Sequence, residues 1–294
     1  MFYKQAEFLM ADEKDNGRYD KRNNLNDLTG KEWLKLTKSF WFSEKSKDDK
    51  FAFKHPAPYL IKDTEKLISL FTKKGMTVLD PFNGVGTTLV AASNIGRKGI
   101  GIDLSLEYCD LAKQRLELLS IDKNSQKIIC GDSIIELPKI ESKIDYCVTS
   151  PPYHNILKNK GGGLRKEKDD FRSGSRLGVE YYSESPHDLG NQESFDDFIN
   201  LFSKVMKEVF LKLKDKAYTS IVISDFTVDK KEVNVQAYIV ASMEKVGYEF
   251  VGTTVLLQDN KPLYPFGYPY AYKINHHHQN IINFRKSLPK LNTK

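Results

Sequence analysis

Between residues 76 and 149 four short apolar runs alternate with amphipathic stretches, and this rhythm constrains the fold more than any other feature of the chain. Met76-Thr77-Val78-Leu79, Gly99-Ile100-Gly101-Ile102, Lys127-Ile128-Ile129-Cys130 and Tyr146-Cys147-Val148-Thr149 each have the length and composition of a strand. Residues 87–95 and 106–119 have helical spacing; Gly96 stops the first and Ser105 can cap the second. Strand and helix in strict alternation predict an α/β fold, a mostly parallel, doubly wound twisted sheet with helices on both faces.

A helix over 64–71 is expected before this region. Beyond it the spacing predicts a helix over 194–213, a strand over 217–224, a helix over 233–246 and strands over 249–257 and 280–284. Ser194 and Asp197 have the spacing of a capping box with Asp in place of Glu. Residues 1–30 are polar and read as a loose arm. Trp33, Leu34, Leu36, Phe40, Trp41 and Phe42 read as a helix or turn docking on the core.

The 294 residues suffice for one large domain with a core of its own. The net charge of +6 is a slight lean toward polyanions and does not by itself select a nucleic acid. The three cysteines, Cys109, Cys130 and Cys147, form no CxxC pair, so neither a disulfide framework nor a structural zinc site is expected. Cys130 and Cys147 end apolar runs and are expected to be buried. His276, His277 and His278 are consecutive, point in different directions and carry no partner spacing, so no metal site is expected there. Neither a secretion signal nor an apolar run of about 18 residues is visible, which fits a reducing cytoplasm.

Two motifs carry the chemistry. The first is Asp80-Pro81-Phe82-Asn83-Gly84-Val85-Gly86-Thr87-Thr88, between a strand and a helix. Gly84 and Gly86 let the backbone approach a ligand, but Leu89 stands where a dinucleotide fingerprint has its third glycine. Asp103 closes the next strand about twenty residues on, where a carboxylate can accept from ribose hydroxyls. Asp132, followed by Ser133, closes the third, where it can accept from an adenine amine. Helix caps and turn formers would use the same residue types; three acids at matched strand ends point instead to one crevice.

The second motif is Thr149-Ser150-Pro151-Pro152-Tyr153. Two successive prolines fix φ and donate no amide hydrogen, leaving a rigid segment with free carbonyls. Carbonyls and an acceptor at Ser150 can hold the hydrogens of an exocyclic amine and localise its lone pair. Tyr153 can stack on a base taken out of the helix. A Pro-Pro kink followed by a core tyrosine is the plain structural alternative.

Together these motifs resemble the amino-methyltransferases of DNA. The resemblance extends over about residues 25–286 and implies a Rossmann-like methyltransferase fold with S-adenosylmethionine as cofactor. It implies that Asp80, Pro81, Phe82, Gly84, Gly86, Thr87 and Thr88 surround the cofactor together with Asp103, Asp132 and Ser133. The upstream Lys54-His55-Pro56-Ala57-Pro58-Tyr59 resembles an element that folds over the cofactor, so Lys54, His55 and Pro56 are expected on its methionine side. Ser150, Pro151, Pro152 and Tyr153 are the expected catalytic residues. Thr-Ser-Pro-Pro-Tyr resembles the members that methylate cytosine N4, whereas Asp at the position of Ser150 is commoner in adenine N6 enzymes. Both targets stay open, as do an amine in RNA or protein and a non-catalytic nucleic-acid-binding module. A cytosine C5 mechanism is disfavoured because no cysteine here adjoins a proline.

On this reading residues 1–50 are an arm and docking element, 51–286 the catalytic domain, and 287–294 a tail. An inserted recognition loop is expected over about 154–192, where the pattern lapses. Lys158, Lys160, Arg165, Lys166, Arg172 and Arg176 are its candidate contacts to double-stranded DNA. A second candidate is residues 258–278, where Tyr264, Phe266, Tyr268, Tyr270 and Tyr272 are interleaved with Lys261 and Lys273. The resemblance also implies a restriction-modification system with a cognate restriction endonuclease as partner.

Overall fold

The computed structural model describes residues 17–54, 59–154, 185–228 and 231–287. Strands β2 (Thr77–Asp80), β3 (Lys98–Asp103), β4 (Gln126–Cys130), β5 (Ile144–Thr149) and β6 (Leu213–Ile223) pair in parallel in the order β6-β5-β2-β3-β4. β9 (Tyr248–Leu257) and β10 (His278–Lys286) extend this sheet beyond β6. β10 is antiparallel to both its neighbours, so it alone runs against the other strands. β1 (Phe40–Phe42) completes the eight-stranded sheet by pairing in parallel with β9.

Neighbouring residues on the central strands face opposite cores, as a sheet covered on both sides requires. Val78, Tyr146, Val222 and Ile281 pack with α2 (Ile61–Phe71) and α3 (Thr87–Asn94). Leu79, Cys147, Ile221 and Ile282 pack with α6 (Phe195–Lys212) and α7 (Val235–Val246). The short α5 (Ser133–Glu136) follows β4, and α4 (Leu106–Leu118) joins β3 to β4. The chain winds one way from β2 through β3 to β4 and the other way from β5 to β6. The carboxyl ends of β2 and β5 therefore flank the switch point where an open α/β sheet leaves a crevice.

Several elements depart from the expected ones. The described part of the expected loose arm is tied to the core: Asn26 is buried and its Nδ2 donates to the Leu70 carbonyl at 2.7 Å. Thr29 and Glu32 form a reciprocal capping box at the start of α1 (Gly30–Leu36). Phe40–Phe42 is a strand, not a helix or turn, and buries Trp41 against the sheet. Helix α2 begins at Ile61 instead of residue 64, because Asp49 Oδ1, twelve residues upstream, accepts the Ile61 amide hydrogen at 3.1 Å. Cys130, expected to be buried, is exposed at the end of the edge strand β4, whereas Cys109 and Cys147 are buried. β7 (Phe226–Val228) and β8 (Lys231–Val233) form a small separate hairpin. Ser194 caps α6 as expected, accepting from the Asp197 amide at 3.0 Å. Among the described residues no helix is long and apolar enough to cross a membrane.

Candidate active site

Asp80, the last residue of β2, is fully buried. Its Oδ1 accepts from Thr149 Oγ1 at 2.6 Å and from the Phe82 amide at 3.0 Å. Its Oδ2 accepts from the Tyr59 hydroxyl at 2.7 Å and from Thr88 Oγ1. Burial pushes the Asp80 pKa up, and the hydrogen bonds from Thr149, Thr88, Tyr59 and Phe82 oppose the rise. Asp80 thus fastens the two motifs to each other and to Tyr59, from behind the crevice wall. Thr88 turns toward it. Thr87 Oγ1 instead accepts at 2.9 Å from Arg115, whose fully buried guanidinium also donates to the carbonyls of Val85 and Asp48.

The turn between β2 and α3 needs its glycines. Gly84 and Gly86 have φ of 49° and 79°, in the left-handed region. A Cβ on Gly86 would also come within 3.2 Å of Ala112 Cβ on α4. The Gly84 amide donates to Asp103 Oδ2 at 2.6 Å, and the Ser105 amide to Asp103 Oδ1 at 2.9 Å. Asp103 therefore braces the glycine turn while facing the crevice. Burial, reinforced by the charges of Asp80 and Asp188, pushes its pKa up to about 6 against the pull of those two amides.

Asp132 caps α5, its Oδ1 accepting from the Ile134 amide at 2.8 Å. Its Oδ2 meets His187 Nδ1. Ser133 Oγ donates to the Pro81 carbonyl at 2.6 Å, holding the glycine turn against α5.

A single cavity brings together Pro81, Phe82 and Gly84 from the first motif, Asp103, Asp132 and Ser133 from the next two strand ends, and Ser150, Pro151 and Pro152 from the second motif. Asp80, Gly86, Thr87 and Thr88 stand behind this lining. Tyr153 is half-buried beside it: its ring packs on Phe226 at 5.5 Å, and its hydroxyl accepts from the Ser224 amide at 3.3 Å and Gln279 Nε2 at 3.1 Å. Lys54 closes a 3-10 turn, Lys47–Lys54. His55 and Pro56 lie outside the described residues, as do Lys158, Lys160, Arg165, Lys166, Arg172 and Arg176.

Further cavity residues escape sequence reasoning, among them Tyr108, His187, Asp188 and Leu189. The last three fall in the stretch expected to be a recognition loop, yet residues 185–192 fold back onto the core. Leu189 is buried against α6, and Asp188 Oδ1 caps the turn by accepting from the Gly190 amide at 2.8 Å. A usable signal existed in Asp188-Leu189-Gly190, an apolar residue between a turn former and a glycine inside a polar run.

Residues 1–114 match the model of a family described as DNA methylase, a span that includes the first motif and Asp103 but ends before Asp132 and the second motif. The chain is 46% identical over 74 residues to the orphan methyltransferase M.BamHII of Bacillus amyloliquefaciens, covering 25% of this chain and 28% of that protein. It is 43% identical over 103 residues to the type II methyltransferase M2.DpnII of Streptococcus pneumoniae, covering 34% and 35% respectively. With the type II methyltransferase M.BglI of Bacillus subtilis it shares 36% identity over 104 residues, 34% of this chain and 28% of the relative. These matches span about a third of the relatives' length. Among solved structures, TrmN from Thermus thermophilus superposes with a TM-score of 0.51 at 13% identity, over 81% of this chain and 53% of that one, and shares its fold.

Proposed function

We propose that this chain, whose first 114 residues match the model of the DNA methylase family, is an amino-methyltransferase that transfers a methyl group from S-adenosylmethionine to cytosine N4 of a flipped DNA base. The observation that carries this reading is the convergence of Gly84, Asp103 and Asp132 with Ser150-Pro151-Pro152 on one cavity at the switch point of the sheet.

The lining suits the cofactor. Asp103, Asp132 and Asp188 make the cavity acceptor-rich, which favours a molecule carrying a sulfonium and an ammonium charge. Phe82, Leu189 and Pro152 supply apolar surface for a flat ring. The oxygens of Asp103 and Asp132 each hold one partner in the protein, leaving further lone pairs for ribose hydroxyls and an adenine amine. S-adenosylmethionine, when bound, supplies an electrophilic methyl group.

The remaining work is positioning. Pro151 and Pro152 keep the Ser150 segment rigid, and its acceptors orient the target amine. Thr149, through Asp80, ties that segment to the glycine turn. Tyr153, with its hydroxyl pinned by β10, offers a ring at a set height beside the amine. A target at N4 rests on Ser150 standing where adenine enzymes more often have Asp.

Purified protein incubated with unmethylated genomic DNA and methyl-labelled S-adenosylmethionine, followed by digestion to nucleosides and mass identification, tests the proposal. N4-methylcytosine is the expected product. N6-methyladenine would retain the reaction class and overturn the reading of Ser150. Failure to bind the cofactor at all would overturn the function.

A further inference from the structure

The loop joining β9 to β10, residues 258–277, is strongly aromatic and plays no part in the cavity described above. Tyr268, Tyr270 and Tyr272 are 80%, 94% and 91% exposed, and Leu263, Tyr264 and Phe266 are exposed around them. Scattered apolar residues are normal on a surface, but such a concentration marks a place of contact.

Its position is informative. Because β10 opposes the other strands, the loop leaves the sheet at the same edge as the carboxyl ends of β5 and β6. Its base is coupled to the second motif: Gln258 Nε2 donates to Gln279 Oε1 at 3.0 Å, and Gln279 Nε2 donates to the Tyr153 hydroxyl at 3.1 Å. His276 Nε2 lies 2.9 Å from Glu232 Oε1 on the small β7–β8 hairpin, bracing the far side. Within the loop the basic Lys261 and Lys273 outnumber the one acid, Asp259.

We propose that this loop is a stacking surface for unpaired bases, holding the strand that flanks the target nucleotide while that nucleotide is out of the helix; the proposal rests on the function given above. Exposed rings accept the face of any base, and lysines between them meet phosphates without reading sequence.

The test is the affinity of the full chain for a fluorescently labelled single-stranded oligonucleotide, by anisotropy. The comparison uses a triple variant, Tyr268→Ser, Tyr270→Ser and Tyr272→Ser, and a second triple variant with Phe at the same positions. The Ser variant is expected to bind more than about tenfold more weakly, and the Phe variant, which keeps the rings, within about threefold of the parent. Equal affinity of the parent and the Ser variant would overturn the proposal, as would no binding by the parent. A Ser variant that only converts a dimer to a monomer in sedimentation, with strand affinity unchanged, would make the loop a contact between copies and would also overturn it. Methyl transfer to unmethylated genomic DNA is measured in parallel. Its absence beside ring-dependent affinity overturns the reaction and supports the stacking surface; its presence beside ring-independent affinity overturns the stacking surface alone.

Discussion

Thr149 Oγ1 donates to Asp80 Oδ1 at 2.6 Å, so the first residue of one motif is bonded to the first residue of the other across 69 positions of sequence. The bond lies between adjacent parallel strands and is fully buried. It sets how far apart the glycine turn and the Pro-Pro segment stand, and hence the width of the cavity between them.

Thr149→Val keeps the side chain's shape and removes that donor. A buried hydrogen bond to a charged group contributes about 1.5–3 kcal/mol, and the loss is expected as a fall of several degrees in Tm. Cofactor affinity, measured by calorimetry, should fall with it, since the two cavity walls lose their tie.

Asp103 gives a pH dependence of definite sign. Its pKa is raised to about 6 in the folded protein, so the neutral carboxyl is favoured by folding. Its contribution to stability is full below the unfolded value near 3.8 and is lost as pH rises through about 6. Binding of a cationic cofactor should run the other way and strengthen as pH rises through about 6. Asp103→Asn should flatten both profiles; urea titrations and binding isotherms between pH 4 and 8 measure them.

His187→Ala removes the imidazole that holds Asp132 Oδ2. The carboxyl group then loses one of its two fixed partners beside the cavity, and cofactor binding should weaken by about three- to tenfold, on the order of one ordinary hydrogen bond. His187→Gln, which can still donate, should lose less. Equal loss in the two variants would show that the ring's bulk, not its hydrogen bond, matters.

Ser150→Ala and Tyr153→Ala should leave cofactor affinity within about twofold and cut methyl transfer by about a hundredfold or more, the scale of lost positioning. Tyr153→Phe keeps the ring but frees it from Ser224 and Gln279. An intermediate loss in that variant, read in single-turnover rates, is expected if the pinned hydroxyl fixes the ring.

The parallel core was legible because strands such as Met76-Thr77-Val78-Leu79 stand between a glycine, Gly75, and an acid, Asp80, and because period and punctuation are local properties. The lining acids were legible for the same reason: Asp103 and Asp132 sit where strands stop. What escaped depends on contacts far apart in sequence. Asp49 caps a helix twelve residues away, and Arg115 on α4 is buried with hydrogen bonds to Val85, Thr87 and Asp48, all distant in sequence. Asp80 could be placed at a strand end but not turned away from the cavity, because its partners come from Tyr59, Thr88 and Thr149 at once. His187 and Asp188 were hidden inside a polar run whose composition resembles loop.

Three residues near the amino end, Phe40–Phe42, cover the last three residues of the ten-residue strand β9, Val255–Leu257, along the flank it turns away from β10. A fragment trimmed back to the alternating region would leave that flank's amide and carbonyl groups open, a template on which a second molecule can add its own strand. The segment that contributes nothing to the cavity would then decide whether the protein stays dispersed in solution or associates edge to edge.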